Sequence, residues 1–564
     1  MSHETTRSPS TAPPSHPSAF APRTLVVTVV LSVLGAFIGL HLVTTLGISA
    51  NTSVIGALVA MLIGRAGIWG FHRFRDTNRQ NLAQTAISSA TFGAANALLT
   101  PIAIGWAFGR ADLIWPLLVG AAAGLAVDSW VLYQTFGSRF LPATAAWPPG
   151  IAAAETIKAG DEGGRRAKIL LGSGVVGAVL AWFSLSGSAA GVALIGNVVA
   201  LLMFGVGLMI NQYSPVIPGL ENVSLSDNYI PHGVMIGAGV VALVQAIVIL
   251  SNRRKTSGGT AAEETTADGE STNNAGEIGP GSGPDPAEAH TRSPRELGRG
   301  LGSGVVLFMV VAVLLAVVSG IATEMSVPAL IGWVVFAAVA AFVHEIIVGL
   351  AAMHSGWFPA FAVTLIFLVI GLVIGLPEIP LVVLVGYCAA TGPAFADMGY
   401  DFKAGWVLRR IHSRSPGYSA YEMSGRKQQY YSAIIGFVVA LVVVGLLWQS
   451  YFEDGLLPPV SVVFAETVEA GLTNPDAVSN LLIWAVPGAL IQAVGGSSRQ
   501  MGVMLATGLL ISSPYACWLV FAALLIRIIV RHTKGTKAEE DLTLVGAGLI
   551  AGDAVASMGT IVRQ

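Results

Sequence analysis

The chain has 564 residues, 54% of them hydrophobic and only 11% charged, where a soluble domain carries about 25% charged residues, so water does not solvate most of it. A net charge of −2 and a pI of about 6.6 leave no basic surplus for nucleic acid. The two cysteines, Cys388 and Cys517, both lie in apolar runs and support neither a disulfide framework nor a Cys-based metal site.

Residues 1–23 are rich in Ser, Pro and Thr and read as a disordered N-terminal tail. The run from Thr24 to Leu46 is too long for a signal-peptide core and is expected to stay as a membrane span. Further runs long enough to cross hydrocarbon fall near 54–71, 81–108, 113–133, 168–185, 189–211 and 232–250. A polar insert, 251–300, rich in Gly, Ser, Thr, Glu and Pro, then divides the first transmembrane half, 24–250, from the second, 301–564. Runs resume near 303–322, 327–350, 358–376, 380–400, 429–450, 477–495, 500–531 (one long or two short) and 541–561. These runs are continuously apolar, not alternating, so the expected fold is all-α and polytopic, with about 15–16 transmembrane helices.

Lys and Arg cluster at 65–79, 139–168, 253–255, 403–427 and 527–537, and are absent from 47–53, 322–327, 376–380 and 451–476. The positive-inside rule places the N-terminus, the insert and a 401–428 loop in the cytoplasm of a cell whose cytoplasmic (inner) membrane holds the chain. Counting spans from 139–168 conflicts with Arg253-Arg254-Lys255 unless a re-entrant or broken segment lies near 203–231.

The halves repeat. Ile236–Ala242 matches Val545–Ala551, Met203–Ile210 matches Met504–Ile511, and Ser89-Ala90-Thr91 matches Ala389-Ala390-Thr391, at offsets of 309, 301 and 300. Internal duplication around a central site, with discontinuous helices there, is the architecture of secondary transporters.

Charge inside lipid costs about 2.5–3.5 kcal/mol on insertion scales, so each buried ionisable group needs a reason. In ATGPAFADMGYDFKAGW, residues 390–406, Gly392-Pro393 breaks one helix and can start another. Asp397 and Asp401 then lie four residues apart on one face, with Lys403 following; a cytoplasmic cap is the plainer reading for Asp401 and Lys403. His344-Glu345 closes the 327–350 span, either as a protonatable pair or as interface residues. Asp128 lies late in 113–133, where an interfacial place competes with proton transfer, and Asp553 sits mid-run among glycines. His41, near the end of the first span, reads as interfacial.

A second polar cluster spans 78–101, with Asn81, Gln84, Thr85, Ser88, Ser89, Thr91 and Asn96, and Gln84, Ser88 and Thr91 share one helical face. Thr100-Pro101 is expected to break that run. These amides and hydroxyls suit peptide-like groups, or serve as glue between helices.

These residues resemble a known family. Asn81, Gln84-Thr85, Ser88, Ala90 and Thr100-Pro101 are similar to the N-x-x-Q-T-x-x-S-A…T-x-P pattern of the prokaryotic branch of the oligopeptide transporter (OPT) family, related to the yellow-stripe-like metal-chelate transporters. Asp397, Asp401-Phe402-Lys403 and Gly405-Trp406 resemble its D-x-x-x-D-[LF]-K-x-G-[YF] motif. Arg426 to Gln429 with Gly436, and Gly546 to Asp553, resemble its R-x-Q and G-x-G-L-I-x-G-E stretches, Asp553 standing for the usual Glu. The 403–426 interval is longer, and the chain shorter, than in most members.

The resemblance implies a proton-coupled importer of short oligopeptides or peptide-like metal chelates, without a cofactor or a resident metal, whose partners are that substrate, protons and the lipid bilayer; a homo-oligomer is among its expected assemblies. Asn81, Gln84, Thr85, Ser88, Thr91, Asn96, Asp401 and Lys403 are the expected substrate-binding residues, Asp401 and Lys403 offering both charges to a zwitterion. Asp397, Glu345, His344, Asp553 and Asp128 are the expected proton-coupling residues. No GxxxxGK[ST] pattern occurs, which argues against ATP-driven transport. The alternatives are an intramembrane transferase acting on lipid-linked substrates and a non-catalytic subunit of a membrane complex.

Overall fold

Helices account for every regular element in the computed structural model, which describes residues 15–47, 56, 76–145, 147–159, 165–216, 223–225, 227–256, 290–355, 360–473, 475–511, 513 and 515–561. The expected span at 54–71 apart from Gly56, most of the insert and the first 14 residues lie outside the described residues.

The first half contributes α1 (Pro22–Thr45), α2 (Thr77–Phe92), α3 (Thr100–Ala107), α4 (Ile114–Thr135), α5 (Pro148–Ala159), α6 (Arg165–Trp182), α7 (Gly187–Ile195), α8 (Val198–Tyr213) and α9 (Ile230–Thr256). The second contributes α10 (Pro294–Val318), α11 (Ile321–Glu324), α12 (Val327–Ser355), α13 (Ala360–Val373), α14 (Glu378–Ala390), α15 (Pro393–Arg409) and α16 (Tyr418–Glu453). It continues with α17 (Pro459–Thr473), α18 (Pro475–Arg499), α19 (Met501–Leu510), α20 (Ala516–Lys534) and α21 (Thr536–Ile561). Among the described residues, ten helical stretches are long and apolar enough to cross a membrane, and four shorter apolar helices accompany them. The chain is thus a multi-pass, all-α membrane protein.

Several boundaries differ from the sequence reading, each for a local reason. The run 189–211 is two helices, because Asn197 accepts from the backbone N–H groups of Val199 and Ala200 and caps a new start. For the run 500–531 the second of the two readings holds, two short helices, Met501–Leu510 and Ala516–Lys534. Pro101 does not break its helix. A π-helical stretch, Gly93–Leu99, widens the coil ahead of the proline, and Thr100 returns both its N–H and its hydroxyl to Ala95 O. The expected 401–428 loop is mostly helix: α15 runs on to Arg409, α16 starts at Tyr418, and Lys403, Arg409 and Arg426 are buried.

α2 and its continuation, with α14 and α15, form the centre; 94% of the most apolar window of each stretch is enclosed by protein. By contrast α10 and α20 turn Val306, Val310, Val317, Leu525 and Ile528 outward, a surface suited to lipid tails.

Close backbone contacts between small residues repeat in the two halves. A side chain at Gly237 of α9 would strike Ala485 O of α18, and one at Gly488 would strike Val234 O. In the same way Gly552 of α21 meets Gly174 O of α6, and Gly177 meets Leu549 O. Gly237 and Val234 therefore map onto Gly552 and Leu549, 315 residues later, and Gly174 and Gly177 onto Ala485 and Gly488, 311 residues later. This packing register differs from the 309-residue sequence match, because glycines recur often enough in both segments to align in more than one way.

α8 and α19 meet on the relating axis itself. Gly207 abuts Leu505 O and Gly508 abuts Phe204 O, a reciprocal contact in which each residue and its counterpart stand 301 apart. That is the offset of the Met203–Ile210 and Met504–Ile511 match. The duplication is thus visible in the packing.

Candidate functional site

Asp76 starts α2 by accepting the Asn78 N–H, and Asn81, Gln84, Thr85 and Ser88 then recur at three- and four-residue spacing along one face. Opposite them α15 begins abruptly. Thr391 is extended, Gly392 has φ +88, and Pro393 occupies the first helical turn. From that start Asp397 and Asp401 present one face of α15, four residues apart.

The two faces meet. Gln84 Nε2 donates to Asp401 Oδ1 at 2.5 Å, and Ser88 Oγ lies 2.9 and 3.1 Å from the two oxygens of Asp397. Asn81 Nδ2 donates to Gln84 Oε1 at 3.0 Å, orienting that amide. Gln429 of α16 adds a third side, donating to Asp401 O at 2.7 Å and Thr85 Oγ1 at 3.3 Å. Asn81, Gln84, Thr85, Ser88, Asp397 and Asp401 are all buried, so the plainer reading of Asp401 as a surface cap does not hold.

Three expected members lie elsewhere. Thr91 returns its hydroxyl to Ile87 O within its own helix and packs against Gly35 of α1. Lys403 does not pair with Asp401. Its Nζ donates to Ala143 O at 2.9 Å and Ala145 O at 2.8 Å, and sits 4.4 Å from the centre of the Trp406 ring. A lysine two residues after Asp401 on a helix points to another face, so one zwitterion cannot take its two charges from this pair as they stand. Asn96 lies half-buried in the π-helical stretch.

Beneath these residues is a buried framework of charge. Arg409 donates to Glu422 at 2.6 and 3.2 Å and to Gln429 Oε1 at 2.9 Å. Arg426 donates to Glu422 Oε1 at 3.1 Å and to Phe136 O at 2.7 Å. Glu422 and both arginines have fully buried side chains. Arg426 and Gln429 belong to a stretch quoted for its resemblance, Arg426 being expected in the 401–428 loop and Gln429 at the start of the next span. Arg409 and Glu422 were missed, and dense charge around them looked like solvent exposure.

At the helix break the polar groups are sparse. Asp128 of α4 accepts the Gly392 N–H at 2.6 Å through Oδ2. Glu345 of α12 is fully buried, and neither of its oxygens has a hydrogen-bond donor among the described residues. His344 Nε2 lies 3.0 Å from both Ala360 O and Thr364 Oγ1, and its ring faces the Cα of Gly392. The interfacial reading of Asp128, His344 and Glu345 is therefore overturned, since no solvent reaches them.

Asp553 is separate from both groups. Its Oδ2 accepts the Ser188 N–H at 2.7 Å, at the start of α7, and lies 3.3 Å from His41 Nε2. His41 is buried by this pairing and is not interfacial. Asp128, from the first half, caps a helix of the second; Asp553, from the second, caps a helix of the first. Among the described residues no group of three His, Cys, Asp or Glu side chains could hold a metal ion.

A family model described as OPT oligopeptide transporter protein matches residues 19–212 and 188–562. No curated protein matches the chain.

Proposed function

This chain belongs to the OPT oligopeptide transporter family and is a membrane transporter, not an enzyme, and from that premise we propose that it is a proton-coupled symporter. In this reading it imports short oligopeptides, or metal chelates built from similar ligands, across the cytoplasmic membrane, with its N-terminus in the cytoplasm. The observation that carries the reading is the hydrogen-bonded contact of α2 with α15. A face of amides and hydroxyls meets a face of carboxylates, both deep in the protein and one from each half. A substrate with amide N–H groups, a free amine and carbonyl oxygens can exchange partners with both faces. Asn81, Gln84, Thr85, Ser88 and Asp401 would contact it, while Lys403 holds the neighbouring 143–145 backbone in place.

Coupling needs groups that change protonation where water is scarce, and Asp397, Asp128, His344, Glu345 and Asp553 are the buried candidates. A proton moving inward gains about 2.3 kcal/mol per 100 mV, which supports about 40-fold accumulation per proton.

Purified protein in liposomes under an imposed inward proton gradient tests this. Peptide-dependent proton influx is the expected result, and peptide uptake indifferent to the gradient would refute proton coupling.

A further inference from the structure

Five buried acidic or imidazole groups are candidates for coupling, and their surroundings are not equivalent. Asp397 receives the Ser88 hydroxyl. Asp553 has His41 and the Ser188 N–H. Asp128 has the N–H of Gly392, with the Phe395 N–H acting on the same carboxylate. Among the described residues Glu345 has no donor on either oxygen, and the carboxyl of Asp128 is its acidic neighbour.

A fully buried carboxylate without a donor or a counter-ion is among the costliest groups a protein can hold, and a second negative charge beside it raises the cost. The other groups facing the pair offer no relief. From α14 come Tyr387, whose hydroxyl donates to Phe308 O, and Cys388; from α12 comes His344, committed through Nε2 to Ala360 and Thr364. From α15 come only backbone N–H groups. A carboxylic acid on Glu345 beside a carboxylate on Asp128 removes the conflict, because the α15 N-terminus favours the charge where it already touches Asp128.

We propose that Asp128 and Glu345 hold one exchangeable proton between them, resident on Glu345, and that the transport cycle loads and releases this proton at the Gly392 break. The second part rests on the proton-coupled reading above; the first does not. Release leaves two adjacent carboxylates and a single helix start to serve them. The charge that caps Gly392 is then repelled, and the break between α14 and α15 is the joint that responds. Because α15 also carries Asp397 and Asp401, its movement reaches the substrate face directly.

Infrared spectroscopy on the full-length protein in lipid nanodiscs tests the first part. At neutral pH the wild type should show the C=O stretch of a buried protonated carboxyl, shifted in D2O. The signal should vanish in Glu345→Gln, which keeps the size and neutrality of the acid, and persist in Asp397→Asn. Asp128→Asn still offers an oxygen to Gly392, and should also keep the signal. An unchanged signal in Glu345→Gln, or one lost only in Asp128→Asn, would overturn residence on Glu345.

Uptake tests the second part. Glu345→Gln should lose proton-driven accumulation, and full accumulation in a variant that has lost the infrared signal would remove this proton from the cycle. If the wild type itself shows no proton coupling, the transport reading fails while the infrared result still decides where the proton resides.

Discussion

Gln84 and Asp401 stand 317 residues apart in the chain, one in each half, and are joined side chain to side chain at 2.5 Å. A neutral amide held by Asn81 thus presents its N–H to a buried carboxylate, while Gln429 holds the backbone beneath that carboxylate.

Gln84→Ala removes a donor from a charged acceptor, an interaction worth about 1.5–3 kcal/mol. The half-saturation concentration for substrate is expected to rise by about 10- to 100-fold, with coupling to protons retained. An unchanged value would leave Gln84 as packing between α2 and α15.

Asp397→Asn keeps the shape and still accepts from Ser88, so the protein should insert and fold as before. Proton-driven uptake is expected to disappear. Full uptake by this variant would take Asp397 out of the mechanism.

Gly392 has φ +88, and a Cβ there would come within 2.8 Å of His344 Nδ1 and 3.1 Å of the Val348 side chain. Left-handed backbone at a residue with a side chain costs about 1–3 kcal/mol, and the contact adds to it. Gly392→Ala should therefore melt at a lower temperature in detergent. A melting curve that superimposes on the wild type would show that the break tolerates a side chain.

Glu422 neutralises two buried arginines at once, with oxygens 2.6 Å from Arg409 Nε and 3.1 Å from Arg426 Nη2. Removing one member of a buried ion pair costs about 3–5 kcal/mol, so Glu422→Gln should sharply reduce the folded yield on size-exclusion chromatography. Wild-type yield and melting would argue that Phe136 O, Thr291 Oγ1 and Gln429 suffice to hold the arginines.

His16 precedes α1 and packs against Tyr421, with ring centroids 6.0 Å apart, while Ala19 N–H donates to Gln428 Oε1 at 2.9 Å. Burial, helped by the nearby Arg409 charge, pushes its pKa down to about 4. A base whose folded pKa is depressed stabilises the docked state above its unfolded pKa of about 6.5, and that contribution is lost as pH falls through 4. Hydrogen exchange at Ala19, corrected for its intrinsic pH dependence, should therefore accelerate between pH 6.5 and 4. His16→Gln should flatten the response, and a pH-independent rate in the wild type would contradict it.

Much of this arrangement was legible in the sequence, because periodicity reports which residues share a helical face. Gln84 and Ser88 on one helix and Asp397 and Asp401 on another follow from spacing alone, and so does a helix start at Gly392-Pro393. What spacing cannot report is the partner. Lys403 is satisfied by the carbonyls of Ala143 and Ala145, which carry no side-chain signal, and Asp553 is satisfied by His41, 512 residues away. Pro101 misled for a similar reason, since the π-helical stretch that accommodates it arises from backbone hydrogen bonds. Residues 1–23, which composition assigns to a disordered tail, include a stretch, 15–21, whose Ala19 is buried against α16.

The bond from Gly392 to Asp128 spans 264 positions of the chain, and a ribosome working at about 5–20 residues per second takes roughly 13–50 s to make that stretch. During that interval α4 has already been synthesised and the helix whose start will meet its aspartate has not. The nascent first half must carry that side chain uncharged, or hold it out of lipid, until the second half emerges. Assembly of this protein therefore has a built-in waiting period, and the last helices made complete sites begun by the first.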